Sequence, residues 1–215
     1  MNRVKEIILA SSSPRRRELL ENIGLRFRVE PSELVERPDD DLPPEEVACG
    51  LSFRKAVEVG RRNHNAIIIA ADTIGVLDGR IIGKPRTDGE AAAMLESMSG
   101  KCHTVITGFT VADTETARTV TRSVETKVCF KRLTKADITA YVASGEPMDK
   151  AGSYGIQGLG SLLVERIEGD YNNVIGLPLS ALAETLKEFG VDLLANASKS
   201  NGDDINRVRR RPSTQ

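Results

Sequence analysis

The sequence has no tryptophan, and its aromatic residues make up only 4% of the chain. Proteins that bind single-stranded nucleic acid without sequence preference stack the bases on aromatic side chains, so this composition argues against such a platform. An excess of charge is also lacking, because 30 Lys and Arg oppose 31 Asp and Glu and leave a net charge of −1 at pH 7. A nearly neutral protein has no general attraction to nucleic acid or to anionic membranes. We therefore predict neither as a partner.

Cysteine and histidine are scarce, with three and two residues. Cys49, Cys102 and Cys129 form no close pair in sequence, and an odd number without metal-ligand spacing is atypical of a disulfide framework or a zinc site. We therefore expect free thiols in a reducing compartment, which favours the cytoplasm. His64 and His103 stand in unrelated contexts outside metal-ligand spacing, and we interpret both as structural.

Long hydrophobic runs are absent from the N-terminus, where the apolar run covers only residues 7–10. This run is too short for a signal peptide or a membrane span. The 215 residues, 40% of them hydrophobic, are sufficient for one folded domain, which we place at residues 1–195. From about Asn196 the composition turns to Asn, Ser, Lys, Asp and Arg, which predicts a disordered basic tail over residues 196–215. We interpret its arginines as solvated charges.

The rest of the chain is organised around residues 66–85. The β-branched run of residues 67–69 predicts a strand buried on both faces, and we expect this strand to end on Asp72. A carboxylate there needs a cation, a metal or a hydrogen-bond donor, and ligands of open α/β sheets bind at strand ends. Asp78 and Gly79 predict a tight hairpin turn. The return strand should bring Lys84 close to Asp72.

A phosphate-binding helix start is predicted at residues 11–17. Ser13 suits the N-cap of a helix and Pro14 its first position. Serines, free backbone N–H groups and arginines at a helix N-terminus are typical of an anion site. Three arginines in the first turn oppose the helix dipole unless an anion offsets them, which favours phosphate. A capped helix with solvated arginines is the alternative.

Two more features indicate ligand contacts. Lys55 falls in the middle of the inward face of a helix predicted from Pro44 to about Gly60. Two interpretations follow: the aliphatic stem of Lys55 passes along the core to solvent, or its ammonium reaches a buried anionic ligand. Residues 146–160 contain a glycine-rich segment that indicates backbone held close to another group, although a flexible loop is the alternative. Gln157 within this segment offers both a donor and an acceptor, which suits reading the edge of a base.

A Gly-x-x-x-x-Gly-Lys-Ser/Thr phosphate loop is lacking, which argues against a P-loop enzyme. Six other motifs occur along the chain: Leu-Ala-Ser-Ser-Ser-Pro-Arg-Arg (9–16), Ala-Asp-Thr (71–73), Gly-Lys-Pro (83–85), Ser-Gly-Lys-Cys-His-Thr-Val-Ile-Thr-Gly (99–108), Asp-Lys-Ala-Gly-Ser-Tyr-Gly-Ile-Gln-Gly (149–158) and Gly-Asp-Tyr-Asn-Asn-Val-Ile-Gly-Leu-Pro (169–178). With these motifs in this order, the chain resembles the Maf family of nucleoside triphosphate pyrophosphatases over about residues 5–190.

The resemblance implies a hydrolase acting on acid anhydrides, which cleaves the α–β bond of a nucleoside triphosphate to give the monophosphate and pyrophosphate. It implies Asp72 as the general base that activates water and contacts a divalent metal cation (Mg, Mn or Co), with Glu36 as a further metal or substrate contact. The residues implied to hold the triphosphate are Ser11, Ser13, Arg15, Arg16, Lys55 and Lys84. Such a displacement needs charge neutralisation and a positioned water more than covalent chemistry.

The resemblance also implies a substrate branch and a fold. Arg15, Thr73 and Gln157 look like the specificity residues of the dTTP/UTP branch, whereas the 7-methyl-GTP branch tends to have Trp, Gln and Glu there. Members of the family also act on modified pyrimidine nucleotides. The implied α/β fold is Maf/ITPase-like, a mixed, elongated, curved sheet flanked by helices with a central substrate cleft, often in a homodimer. A 7-methyl-GTP pyrophosphatase and a non-hydrolysing, nucleotide-sensing regulator of cell division are the alternatives.

Overall fold

The computed structural model describes residues 5–35 and 42–195. Its strands are β1 (Glu6–Leu9), β2 (Arg28–Val29), β3 (Ala66–Leu77), β4 (Arg80–Ile82), β5 (Cys102–Asp113), β6 (Thr119–Phe130) and β7 (Val164–Glu168). Its α-helices are α1 (Pro14–Asn22), α2 (Pro44–Gly60), α3 (Asp88–Met98), α4 (Lys135–Ala143), α5 (Tyr171–Ile175) and α6 (Leu179–Lys187). Three 3-10 turns, Glu146–Asp149, Ala151–Ser153 and Gly158–Leu163, lie between α4 and β7.

The strands form one mixed sheet in the order β2-β1-β3-β5-β6-β7, with β4 pairing with β3. β1 runs parallel to β2 and β3, and the pairs among β3, β4, β5, β6 and β7 are antiparallel. The predicted mixed α/β fold, a sheet flanked by helices, is confirmed. The predicted tail, residues 196–215, and Glu36 lie outside the described residues.

The middle of the sheet is covered on both faces, as the run at residues 67–69 predicts. Ile68 packs on one side with residues of α2 such as Val59. Ile67 and Ile69 pack on the other side in a cluster that includes Leu182 of α6. Alternate residues of a strand point to opposite faces, so a continuous apolar run fits a strand buried on both sides.

The position predicted for Asp72 at the end of its strand is wrong. β3 continues to Leu77, and Asp72 lies inside the strand, opposite Gly108 of β5. The strand continues because residues after Asp72 pair with both β4 and β5, which supplies ladder hydrogen bonds on either side. The predicted hairpin turn is confirmed, and Asp78 and Gly79 adopt φ values of 50° and 78°.

The expectation of three free thiols is also wrong. Cys102 and Cys129 lie directly opposite each other on β5 and β6 and form a disulfide, and Cys49 is free. Their separation of 27 residues in sequence hides a pairing that the strand register creates. The cysteines therefore no longer support a reducing compartment. None of the helices described is long and apolar enough to cross a membrane.

Candidate active site

A cavity of about 990 Å³ lies where the start of α1, α2, β3 and the 3-10 turns meet. The sequence places these segments far apart, and the fold brings them around one space. The predicted site residues that line this cavity are Ser11, Ser13, Arg15, Arg16, Lys55, Asp72, Thr73, Lys84 and Gln157. Every predicted site residue that the structure describes is therefore in the same cavity wall.

The Asp72 carboxylate forms a buried ion pair with Lys55. The Lys55 ammonium lies 2.5 Å from Asp72 Oδ1, and the two side chains are 9% and 11% exposed. Lys55 reaches Asp72 because the inward face of α2 packs against β3. Lys55 is thus a cation in direct contact with Asp72, and Lys84, which the hairpin was expected to bring close, is exposed and lines the same cavity.

The N-terminus of α1 has the predicted cap. The Ser13 hydroxyl accepts a hydrogen bond from the Arg16 backbone N–H, and Pro14 occupies the first helical position. The backbone N–H of Ser13 in turn donates to the Ser11 hydroxyl at 3.2 Å. Both serines therefore lie at the positive end of the helix dipole, where anions are stabilised.

The Arg16 guanidinium donates hydrogen bonds to groups on three separate parts of the chain. Its Nε donates to the Gly176 carbonyl at 2.8 Å, one Nη donates to the Ser11 hydroxyl at 3.2 Å, and the other donates to the Thr73 hydroxyl at 3.0 Å. The Thr73 and Thr107 hydroxyls are 2.9 Å apart. Thr73, predicted as a specificity residue, is thus tied to a predicted phosphate-binding residue.

The glycines of residues 146–160 do approach another group closely, and that group is the protein itself. A Cβ at Gly155 would lie 2.9 Å from the Lys150 side chain, and one at Gly158 would lie 2.9 Å from the Glu146 carboxylate. At Gly160 it would lie 2.2 Å from the Gly155 carbonyl oxygen. The segment is therefore packed rather than a flexible loop, and Gln157 stands exposed in it.

Sequence reasoning missed the carboxylates on this side of the cavity. Glu146 and Asp149 both line it, and Lys150 donates to the Asp149 carboxylate at 2.6 Å. The hydrogen bond from Lys150 lowers the pKa of Asp149, and the nearby Arg15 guanidinium lowers it further. An acidic residue preceding a glycine-rich segment is the one sequence signal for this arrangement.

His103 is a neutral residue of the cavity wall. It is 3% exposed, and burial lowers its pKa to about 4. Its Nε2 is hydrogen-bonded to the Tyr154 hydroxyl at 2.8 Å, and its ring packs edge-on against Phe130. Within residues 5–35 and 42–195, no group of three or more His, Cys, Asp and Glu side chains could hold a metal ion.

The family model described as "Maf-like protein" matches residues 6–189. The chain belongs to this family. It is 46% identical over 191 residues to the dTTP/UTP pyrophosphatase of Pelotomaculum thermopropionicum, covering 89% of this chain and 100% of that protein. A dTTP/UTP pyrophosphatase of Bacillus cereus is 46% identical over 190 residues, which cover 88% of this chain and 93% of that protein. The Maf resemblance predicted from the motifs is confirmed.

Among solved structures, the chain is similar to a HAM1 protein from Coxiella burnetii. The two are 15% identical with a TM-score of 0.42, and the match covers 60% of this chain and 75% of that one.

Proposed function

We propose that this chain is a nucleoside triphosphate pyrophosphatase that hydrolyses dTTP and UTP to the monophosphate and pyrophosphate. The observation that carries the proposal is the buried pair of Asp72 and Lys55 in the wall of a cavity that also holds the arginines at the start of α1. A carboxylate beside several cations suits a reaction that activates water next to a polyphosphate. Two relatives that are 46% identical to this chain are named dTTP/UTP pyrophosphatase, which supports the same reaction.

In the proposed reaction, Asp72 is the general base. Lys55 occupies Oδ1, so we assign Oδ2 the role of accepting the hydrogen bond from the attacking water. The water oxygen bonds to the α-phosphorus as its proton passes to Asp72. The bond from the α-phosphorus to the α–β bridging oxygen breaks, and pyrophosphate leaves with that electron pair. The Lys55 ammonium holds the carboxylate in its orientation for this step.

The triphosphate would be held mainly at the start of α1. Backbone N–H groups near Ser11 and Ser13 and the fixed guanidinium of Arg16 offer donors that need no reorganisation when an anion binds. Arg15 and Lys84 add positive charge to the same cavity. Preorganised cations of this kind stabilise the charge that develops on the phosphate oxygens.

A divalent cation, Mg²⁺, Mn²⁺ or Co²⁺, fits the donors present. Mg²⁺ is commonly bound through one or two carboxylates together with substrate phosphates, and it needs no cage made of protein ligands alone. Asp72 offers such a carboxylate next to the phosphate-binding groups, and Glu36, which lies outside the described residues, would be the second. When bound, the metal would supply Lewis-acid stabilisation of the phosphate oxygens.

Base selection is proposed for Gln157, whose amide can pair with the edge of a pyrimidine. Gln157 lines the cavity and is exposed to it. Thr73 would contribute to base selection indirectly, by orienting Arg16, since the Thr73 hydroxyl accepts a hydrogen bond from the Arg16 guanidinium at 3.0 Å. Arg15, near Asp149, would link α1 to the segment that carries Gln157.

The test is pyrophosphate release from a panel of nucleoside triphosphates with each of the three metals. We expect selective turnover of dTTP and UTP, and a decrease of about 100-fold or more in the Asp72→Asn variant, the usual scale for a general base. Turnover of 7-methyl-GTP instead would reject the substrate branch. Tight nucleotide binding without turnover of any substrate would reject the enzyme and favour a nucleotide-sensing regulator.

A homodimer, which rests on the resemblance to the family, and a cytoplasmic location are further proposals. Light scattering on the purified chain tests the first, because a monomer mass would contradict it. Fractionation of the cells that express the protein tests the second.

A further inference from the structure

Glu146 is the centre of a cluster of hydrogen bonds around the segment that carries Gln157. Its Oε1 accepts from the Tyr141 hydroxyl at 2.9 Å and from the Gly160 backbone N–H at 3.0 Å. Its Oε2 accepts from the Leu159 backbone N–H at 3.0 Å. The carboxylate therefore joins α4 to the chain that follows Gln157.

The chain before Gln157 is held by the same cluster. The backbone N–H of Gly155 donates to the Tyr141 hydroxyl at 3.2 Å, and that hydroxyl donates to Glu146. Gly155 and Leu159 stand two residues before and two residues after Gln157. Both flanks of Gln157 are thus tied, directly or through one hydroxyl, to one carboxylate.

We propose that Glu146, together with Tyr141, is a positioning residue that fixes Gln157 for recognition of the nucleobase. The proposal deepens the proposed function and rests on it where Gln157 is taken to contact the base. Glu146 itself touches no substrate in this role. It acts by holding the backbone on both sides of Gln157.

Steric restraint supports the same role. Gly158 adopts a φ of 68°, and a Cβ there would lie 2.9 Å from Glu146 Oε2. A Cβ at Gly160 would lie 2.7 Å from the Tyr141 hydroxyl. The backbone therefore fits against these two side chains only with glycine at both positions, which restricts the segment to one path.

The side chain of Gln157 has no such support of its own. It is exposed and forms no hydrogen bond to any residue in the described ranges, so its direction follows from the backbone that carries it. A loosely held backbone would let the amide take many orientations, and binding would then cost additional conformational entropy.

The charge of Glu146 suits a positioning role better than contact with phosphate or metal. Burial raises the pKa of this carboxyl, but hydrogen bonds from Gly160, Tyr141 and Leu159 outweigh the effect and lower the pKa overall. The group is therefore an anion at neutral pH and would repel a triphosphate. Its two oxygens already accept three hydrogen bonds, which leaves them poorly placed to become metal ligands.

The experiment separates base recognition from phosphate binding. Glu146→Gln replaces one acceptor oxygen with an NH₂ group that faces N–H or O–H donors, and Tyr141→Phe removes the hydroxyl while keeping the ring. The KM for dTTP and the inhibition constant of inorganic triphosphate, which carries no base, are measured for each variant. Glu96→Gln, an exposed position on α3, is the matched control.

We expect Glu146→Gln to raise the KM for dTTP about 10-fold, with a smaller change in kcat. A 10-fold change corresponds to the free-energy cost of leaving one buried hydrogen-bond donor without an acceptor. The inhibition constant of inorganic triphosphate should stay within twofold of the wild-type value. Tyr141→Phe should act in the same direction. In a Gln157→Ala background, the Glu146→Gln change should have little further effect on the KM, since both act through one contact.

An equal rise in KM and in the inhibition constant of triphosphate would overturn the proposal, as would fully additive effects with Gln157→Ala. Thermal unfolding identifies a variant that fails to fold, in which case Tyr141→Phe decides alone. Wild-type protein without turnover of any nucleotide would reject the proposed function instead. The same comparison would then be made with the dissociation constants of dTTP and inorganic triphosphate.

Discussion

Lys55 of α2 and Asp72 of β3 form an ion pair with a 2.5 Å separation in the cavity wall, and each side chain is about one-tenth exposed. A buried pair of this kind adds little stability over an apolar pair of the same shape, but removing one member leaves a buried charge without compensation. The pair therefore couples the fold to the proposed reaction, because the same ammonium that satisfies Asp72 also orients it.

Lys55→Met is expected to destabilise the protein by about 3–5 kcal/mol, since it leaves the Asp72 carboxylate buried without its cation. Urea unfolding measures this loss. Adding Asp72→Asn to Lys55→Met should recover part of the stability, because the neutral amide no longer needs a cation. Additive losses in the double variant would contradict the pairing.

Arg16→Lys is expected to raise the KM for dTTP about 10-fold, because an ammonium cannot reproduce the planar fork that reaches Gly176, Ser11 and Thr73 together. Steady-state kinetics on dTTP measures the effect. Arg17→Lys is the matched control, since Arg17 pairs with Glu21 on the exposed side of the same helix. Equal effects of the two substitutions would reject a special role for Arg16.

Gly108→Ala is expected to destabilise the protein by about 3 kcal/mol or more, because the new Cβ would lie 2.3 Å from the Ala48 backbone. The contact is to backbone, so α2 must move, and Lys55 moves with it. Gly50 lies on α2 with open space around it, so Gly50→Ala should instead stabilise the protein by about 0.5–1 kcal/mol. Thermal unfolding of both variants tests whether Gly108→Ala destabilises the protein and Gly50→Ala stabilises it.

Reduction of the Cys102–Cys129 disulfide is expected to cost about 3–4 kcal/mol, the loop-closure value for a separation of 27 residues. Urea unfolding with and without reductant measures it, and Cys102→Ser should abolish the difference. Cys49→Ser is the control that should preserve it. Titration of three free thiols in the unreduced, unfolded chain would contradict the disulfide.

Acid should destabilise the protein in part through His103. Burial lowers its pKa from an ordinary value of 6.5 to about 4, so the unfolded state binds a proton that the folded state does not. Its contribution to stability is therefore present above about pH 6.5 and is lost as the pH falls towards 4. The free energy of unfolding of wild type and His103→Gln, measured across this range, should converge at low pH, whereas a constant difference would contradict the assignment.

Local chemistry determined much of this protein from sequence alone. Ser13 and Pro14 begin α1 as predicted, and Asp78 and Gly79 form the predicted hairpin turn, because each preference depends on a few neighbouring residues. The six motifs were sufficient to indicate the family. They also contain every predicted cavity residue except Lys55, which was predicted from its place on the inward face of α2.

Only the tertiary structure decided which of these groups meet. The cation beside Asp72 is Lys55 because α2 packs on β3, and the disulfide exists because the register of β5 and β6 places Cys102 opposite Cys129. The contacts of Glu146 with the Gln157 segment likewise depend on how the chain returns after α4. Such pairings are set by strand register and helix packing, which act between residues distant in sequence and leave no local pattern.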